Sequence, residues 1–306
     1  MVLMHSLTDP PHRKPWSGLT TADISQADIG LLGIPYDGAA SFRKGASEAP
    51  KRVRSLTPHV APSTENGVAL AGLGVFDAGD TADFSDWNSL SRQVTKKLHE
   101  IVSLPFLTVL GGDHSVTIPV TRELAQTVSG PVGYLHIDAH LDLMDTFEGL
   151  PFSHACTARR VLELPNVAPE NVAFIGIRSW LDEEVAFLDA HPSIHVETTA
   201  AIADDGIPTV LQRTLPVLRN VAAVYITIDI DVLDPAYAPG TGTPEAGGLS
   251  TRDLLQFLAP VFRSLPVRAI DIVEVSPPLD HSDITSFAAI KLLYEVFGWV
   301  KERSIH

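Results

Sequence analysis

The feature that most constrains this sequence is a series of eight short apolar, β-branched runs, each ending near Gly, Asp or Ser, with helical periodicity between most of them. The runs fall at 29–34, 74–78, 106–110, 132–137, 172–177, 194–197, 223–228 and 267–273. Amphipathic stretches lie at 88–103, 117–128, 182–190, 208–219, 250–264 and 286–302. Parallel neighbours need a crossover, and a crossover helix lies over one face of the sheet. Near-continuous apolar strands alternating with helices therefore predict an α/β fold, a parallel sheet covered on both faces. Ser250, one residue before Thr251 and three before Asp253, predicts a helix start with an acid near the positive end.

No repeat, linker or low-complexity segment divides the chain, so one domain is expected over 23–306, preceded by an arm at 1–22. The Pro-containing stretch 57–65 predicts a surface loop. Hydrophobic residues make up 45% and charged residues 19%, the balance of a soluble chain with a sizeable core. No apolar run approaches the roughly 20 residues that span a bilayer, and the first residues lack an apolar signal segment with a basic flank. The expectation is no membrane partner. Cys156 has no second cysteine to pair with, which suits a reducing, cytoplasmic setting. The formal net charge of −15 argues against nucleic acid as a partner, because phosphate needs a basic face, and it favours cations.

Three polar motifs follow three of the runs. GGDHS (111–115) follows 106–110, DAHLD (138–142) follows 132–137, and DID (229–231) follows 223–228. Ligand sites in open parallel sheets form beyond the carboxyl ends of strands, so these motifs should meet at one rim. In extended chain, residues at i, i+2 and i+4 share a side, which groups Asp138, His140 and Asp142 and likewise Asp229 and Asp231. His114 arrives from a third strand end after a Gly-Gly turn. Four converging carboxylates need cations between them. Four carboxylates and two imidazoles exceed one tetrahedral zinc site, whereas two metals can share ligands. An oxygen-rich set without thiolate suits Mn²⁺, and two ions about 3.5–4 Å apart lower the pKa of a shared water toward neutrality. His5, His12, His59, His99, His191, His195, His281 and His306 have no comparable spacing. His136 alternates with Asp138 and could stand behind the ligands; Asp113 should point away, and Asp80 is expected to cap or support.

GGDHS, HIDAHLD and ITIDIDVLDPAYAPGTGTPE together resemble the ureohydrolases, the arginase and agmatinase family, and the likeness runs from about Gly33 to about Ala289. It implies a three-layer α/β/α fold with an eight-stranded parallel sheet and a pair of Mn²⁺ ions. By motif position, one ion would take His114, Asp138, Asp142 and Asp229, and the other His140, Asp138, Asp229 and Asp231. It implies further that Glu274 binds the guanidinium group and that His154 shuttles a proton or positions substrate. Imidazole is suited to that work because it titrates near operating pH. A homo-oligomer, trimer or hexamer, is also implied.

The implied reaction is hydrolysis of a cationic guanidino compound with release of urea. GTGTPEAGGLS, EVSPPLDHSDIT and FSHACTARR are similar to agmatinases, while DTFEG is similar to plant arginases. Leu143 to Phe152 lacks the Asn- and Ser-bearing loop of animal-type arginases. Agmatine is thus the expected substrate, ahead of guanidino acids such as 4-guanidinobutyrate, arginine and formiminoglutamate. Arg43 could bind a carboxylate tail or serve the fold. The tail is expected along 143–152 and 36–44. A metal-binding scaffold without activity would lack a bridging Asp, Glu274 or His154, and all are present. A phosphoesterase would want basic residues beside the motifs, whose flanks are acidic or apolar.

Overall fold

A computed structural model describes residues 14–82 and 86–304. Its strands are β1 (Ile29–Gly33), β2 (Val75–Asp80), β3 (Phe106–Leu110), β4 (Val132–Ile137), β5 (Val172–Ile177), β6 (His195–Thr198), β7 (Ala223–Asp229) and β8 (Val267–Val273). They form one eight-stranded sheet in the order β2-β1-β3-β8-β7-β4-β5-β6, with every neighbouring pair parallel. Each run read from the sequence is a strand; the second extends furthest beyond its expected end, to Asp80.

The helices are α1 (Ala49–Leu56), α2 (Trp87–Ile101), α3 (Thr117–Thr127), α4 (Thr157–Val161), α5 (Asp182–Ala190), α6 (Thr199–Asp205), α7 (Ile207–Val217), α8 (Thr251–Ser264) and α9 (Ile284–Ser304). On one face, α1, α6, α7, α8 and α9 pack against Ile29, Leu31, Ile226 and Ile228. On the other, α2, α3, α4 and α5 pack against Leu107, Val109, Tyr134 and Phe174. Alternate residues of the inner strands thus serve two separate cores, which is why those strands read as continuous apolar runs. Each fully buried aliphatic side chain contributes roughly 1.5–3 kcal/mol relative to exposure.

Three helices carry no clear sequence signal. α4 and α6 are too short for the 3.6-residue period to show, and α6 ends at Gly206, where α7 begins. In α1 the proline argues against a helix by propensity, yet Pro50 occupies the first turn, where the missing N–H has no intrahelical role. Residues 1–13 of the expected arm lie outside the described residues. Trp16 is fully buried, and its Nε1 donates to Asp77 Oδ2 at 2.7 Å. Its backbone N–H donates to Thr57 Oγ1 at 2.8 Å, so the stretch expected as a surface loop contributes a fully buried threonine. Among the described residues no helix is long and apolar enough to cross a membrane.

Ser250 caps α8 as expected. Its Oγ accepts from Asp253 N at 3.1 Å, while Asp253 Oδ2 accepts from Ser250 N at 3.0 Å, a reciprocal capping box. Replacing Ser250 by Ala should lower unfolding stability in urea by about 1 kcal/mol. An unchanged midpoint would show that the cap contributes nothing.

Candidate metal centre

Strand order assembles the polar motifs. β3, β8, β7 and β4 are consecutive neighbours at the middle of the sheet. Their carboxyl ends deliver His114, Glu274, Asp229 and Asp138 side by side. The sequence motifs announce three of these ends; the sheet inserts β8, with Glu274, between two of them. After β3 the chain passes Gly112, where a Cβ would stand 1.7 Å from Tyr36 O, so glycine alone fits this approach. Asp113 turns away as expected, its carboxylate accepting from Ala39 N at 2.8 Å and Ser115 N at 3.1 Å.

Side-chain convergence has a different cause from the extended-chain alternation that the spacing suggests. Residues 138–140 bend immediately after β4. Asp138 Oδ1 accepts from His140 N at 2.7 Å, and Asp229 Oδ1 accepts from Asp231 N at 2.9 Å. Each is an Asx turn, in which a carboxylate binds the backbone two residues on. The D-x-H and D-x-D spacings are therefore those of a turn that leaves the second carboxylate oxygen free. Asp142 and Glu274 have φ of 53° and 61°, in the left-handed region that non-glycine residues occupy rarely and at a cost of order 1–3 kcal/mol. Glu274 is held there by two bonds to the β3 loop: its N–H donates to Gly112 O at 2.8 Å, and its Oε1 accepts from His114 N at 2.8 Å.

The six expected ligands do come together. His114 Nδ1 lies 3.0 Å from Asp138 Oδ2, 3.0 Å from Asp142 Oδ2 and 3.4 Å from Asp229 Oδ2. His140 Nδ1 lies 3.1 Å from Asp231 Oδ2 and 3.5 Å from Asp138 Oδ1. Two groups could each hold a metal ion: His114, His136, Asp138 and Asp142, and Asp138, His140 and Asp231. Asp138 belongs to both. Asp229 approaches the first group through His114 and is not part of the second. His136 is more central than its sequence position suggests. It is fully buried, its Nε2 lies 2.9 Å from Asp138 Oδ2, and its ring stacks on His114 at 4.9 Å.

Electrostatics favour a cation here. Burial pushes the Asp229 carboxyl well up, with Asp231 and Asp138 adding to it, and Asp231 rises through burial and Asp138. Asp138 is held well below the usual carboxylate range; burial opposes this, but His114, His136 and His140 outweigh it. Burial would lower His114, yet Asp138, Asp142 and Asp229 raise it well above an ordinary histidine. His114 Nδ1 and Asp138 Oδ2 are buried and close together but lack hydrogen-bond geometry. Nearby oxygen and nitrogen donors without a directional bond between them fit a shared divalent cation. The donor set thus suits the expected metal.

Behind the cluster, two residues that the sequence reading passed over tie it to the sheet. Arg178 donates to Asp231 O at 2.6 Å and Glu245 O at 2.8 Å, binding the Asp229–Asp231 turn to the segment that follows it. Asp271, an acid within the apolar run of β8, is fully buried and accepts from three hydroxyl groups. Burial raises its pKa, against the effect of His114 and those hydroxyls. An acid inside a run of β-branched residues is the signal that could have marked it.

His154 stands beside the cluster. Its Nε2 accepts from Ser41 N at 3.3 Å and lies 2.8 Å from Ser41 Oγ, which assigns the ring proton to Nδ1, 3.8 Å from Glu274 Oε1. His140, Asp142, Asp229 and His154 open onto a cavity of about 190 Å³. Its other walls include Phe147 and Ser41, from the two expected segments, and also Ser179, Trp180, Leu181 and Glu184, which sequence reasoning missed. Among the described residues, no lysine or arginine lines it. Arg43 donates instead to Gly242 O at 2.9 Å and Thr241 O at 3.1 Å, the fold-serving alternative. Phe147 belongs to a hairpin tip closed by reciprocal bonds with Leu150, with Glu148 and Gly149 at positive φ.

The fold is a parallel α/β sheet with a buried His/Asp cluster beyond its carboxyl edge that could hold metal ions. The Arginase family model matches residues 27–298. An agmatinase of Bacillus anthracis is 35% identical over 285 residues, covering 91% of this chain and 94% of the relative. A guanidinopropionase of Pseudomonas aeruginosa is 32% identical, covering 92% and 89%. The solved structure of proclavaminate amidino hydrolase from Streptomyces clavuligerus superposes with a TM-score of 0.81 at 32% identity, covering 90% and 92%. The chain belongs to the arginase family.

Metal affinity should weaken as pH falls. Asp229 and Asp231, whose pKa values are raised, are protonated at higher pH than ordinary carboxylates, and a metal ligand must be deprotonated. Mn²⁺ titration calorimetry over a pH series should show this loss beginning above the usual carboxylate range near 4, and an affinity flat with pH would refute it. Asp229→Ala should abolish Mn²⁺ binding. It should also remove the metal-induced rise in unfolding stability, about 2.7 kcal/mol at a hundredfold excess over Kd.

Proposed function

We propose that this protein is a manganese-dependent amidinohydrolase that releases urea from agmatine. The observation that carries the substrate is the cavity wall. Phe147, Trp180 and Leu181 offer apolar surface, Glu184 offers a carboxyl group, and among the described residues no lysine or arginine is there to meet a carboxylate tail. Arg43, the one candidate cation from the sequence, is committed to backbone carbonyls. An ammonium tail suits that wall and a net charge of −15. Similarity to guanidinopropionase keeps guanidino acids as the alternative.

In this reading two Mn²⁺ ions are held per subunit. His114, Asp138, Asp142 and Asp229 serve one, and His140, Asp138, Asp229 and Asp231 the other. When bound, such a pair polarises substrate and brings the pKa of water toward neutrality. The chain's own residues do the rest. Glu274, buried and fixed by His114 N, receives the guanidinium and orients it; burial and then Asp113 raise its pKa, so a cation beside it would restore the carboxylate. His154, with Nδ1 3.8 Å from Glu274 Oε1, is the group placed to pass a proton to the leaving amine, which it does from the imidazolium form and so returns to the neutral ring. The apolar walls exclude water from the tail. We assign this work to one catalytic domain at 23–306, in a cytoplasmic homo-oligomer, a trimer or hexamer.

Urea release measured side by side with agmatine, arginine and 4-guanidinobutyrate, all with Mn²⁺, tests the substrate. Agmatine should give the highest kcat/KM; if it were slowest, the substrate assignment would fall. Glu274→Gln should keep Mn²⁺ bound yet lower kcat/KM by roughly 10–150-fold, the loss expected for a hydrogen bond to a charged group. Unchanged kinetics would remove Glu274 from substrate binding.

A further inference from the structure

His114 is held from behind as well as faced by carboxylates. Its Nε2 lies 2.8 Å from Thr227 Oγ1, and Thr227 Oγ1 donates to Asp271 Oδ1 at 2.5 Å. Asp271 Oδ2 accepts from Tyr225 OH at 2.5 Å and from Thr117 Oγ1 at 2.7 Å. All five residues are fully or almost fully buried. Thr227 and Asp271 are register partners on β7 and β8, so the sheet itself sets their separation.

The proton directions follow from the donors. Three hydroxyl groups converging on two oxygens is the pattern an ionised carboxylate accepts, and an ionised carboxylate cannot donate. The single proton of Thr227 is therefore directed to Asp271, and its oxygen is left to accept from His114. That places the His114 ring proton on Nε2. In the neutral ring Nδ1 then carries the lone pair, and Nδ1 is the atom 3.0 Å from both Asp138 Oδ2 and Asp142 Oδ2.

We propose that Asp271, acting through Thr227, is a positioning residue that fixes the tautomer and ring orientation of His114 and so sets the affinity of the cluster for a divalent cation. The proposal rests on the reading of His114 as a ligand. Partners of this kind, which hold the far nitrogen of a ligating histidine, typically change metal affinity by about 10–100-fold when removed. A purely structural role predicts something else: Asp271 would satisfy Tyr225 and Thr117 inside the sheet, and its loss would lower stability without touching the metal.

The test uses the full-length protein and Mn²⁺, following the electron paramagnetic resonance signal of the free aqueous ion to obtain Kd, with Tm measured on the metal-free protein. Thr227→Val removes the hydroxyl at similar volume, and Asp271→Asn removes the charged acceptor. Both should weaken Mn²⁺ binding by about 10–100-fold, with urea release recovering at saturating Mn²⁺. Thr227→Ser, which keeps the hydroxyl, should restore the affinity. If Asp271→Asn does not fold, Thr227→Val carries the test. Unchanged Kd in Thr227→Val, with His114→Asn still losing the metal, overturns the relay. Unchanged Kd in both overturns His114 as a ligand, and the relay with it.

Discussion

Four buried carboxylates within a few ångströms of one another cannot be held together by packing. Removing each from water is costly, and their mutual repulsion in a low-dielectric interior adds to it. Asp138, Asp142, Asp229 and Asp231 are each at most 5% exposed, so opposing charge is a condition of this fold as much as of any chemistry. Much of the molecule serves that condition. Backbone N–H groups of His140 and Asp231 hold one oxygen of Asp138 and Asp229 respectively and leave the other free. Arg178 ties down the carbonyl side of the second turn. Strained backbone is held in place by bonds to other segments: Glu274 by Gly112 O and His114 N, and Asp142 by Arg159 N, which donates to its carbonyl at 3.1 Å.

The six inner strands were legible in the sequence because both their faces are buried, which turns a weak alternating signal into continuous apolar runs; the edge strands β2 and β6 are only partly buried. The helices α2, α3, α7 and α8 were legible for the complementary reason, a stripe long enough to repeat, whereas α5 and α9 present little such stripe, α9 being apolar on several sides. What the chain could not display was adjacency. Nothing local places β8 between β3 and β7, so Glu274 could be assigned only through family likeness, and the Thr227–Asp271 pair could not be seen at all. The residue types of the cluster were readable, but the reason for their spacing was not. An Asx turn and an extended strand both bring i and i+2 to one side, and only the bend at 138–140 separates them. His136, which the sequence places behind the ligands, differs from its neighbouring ligands in position rather than type, lying inside β4 where Asp138, His140 and Asp142 lie beyond it.

The cavity wall is less legible in the sequence than the cluster. The loops at 36–44 and 143–152 were anticipated, and each contributes to it through Ser41 and Phe147. The segment after β5 was not anticipated, because Ser179, Trp180 and Leu181 carry no motif and owe their place to the neighbouring strand. Glu184 shows how such a wall is anchored: it accepts from Leu143 N and Leu181 N, both at 3.0 Å, and so joins two loops far apart in sequence. Burial pushes its pKa up to about 7.

The hairpin tip at Phe147–Leu150 closes on itself through its own backbone bonds and turn residues. Its shape therefore depends little on the sheet below, whereas the positions of His114, Asp138 and Asp229 depend on four strands at once. Such a division lets the two halves of the site change at different rates. Lengthening or re-facing the hairpin alters what lies opposite the far end of a bound molecule and leaves the cluster geometry untouched. One chemical step can in this way be inherited across chains that meet quite different tails, with the variation confined to a few residues at the rim.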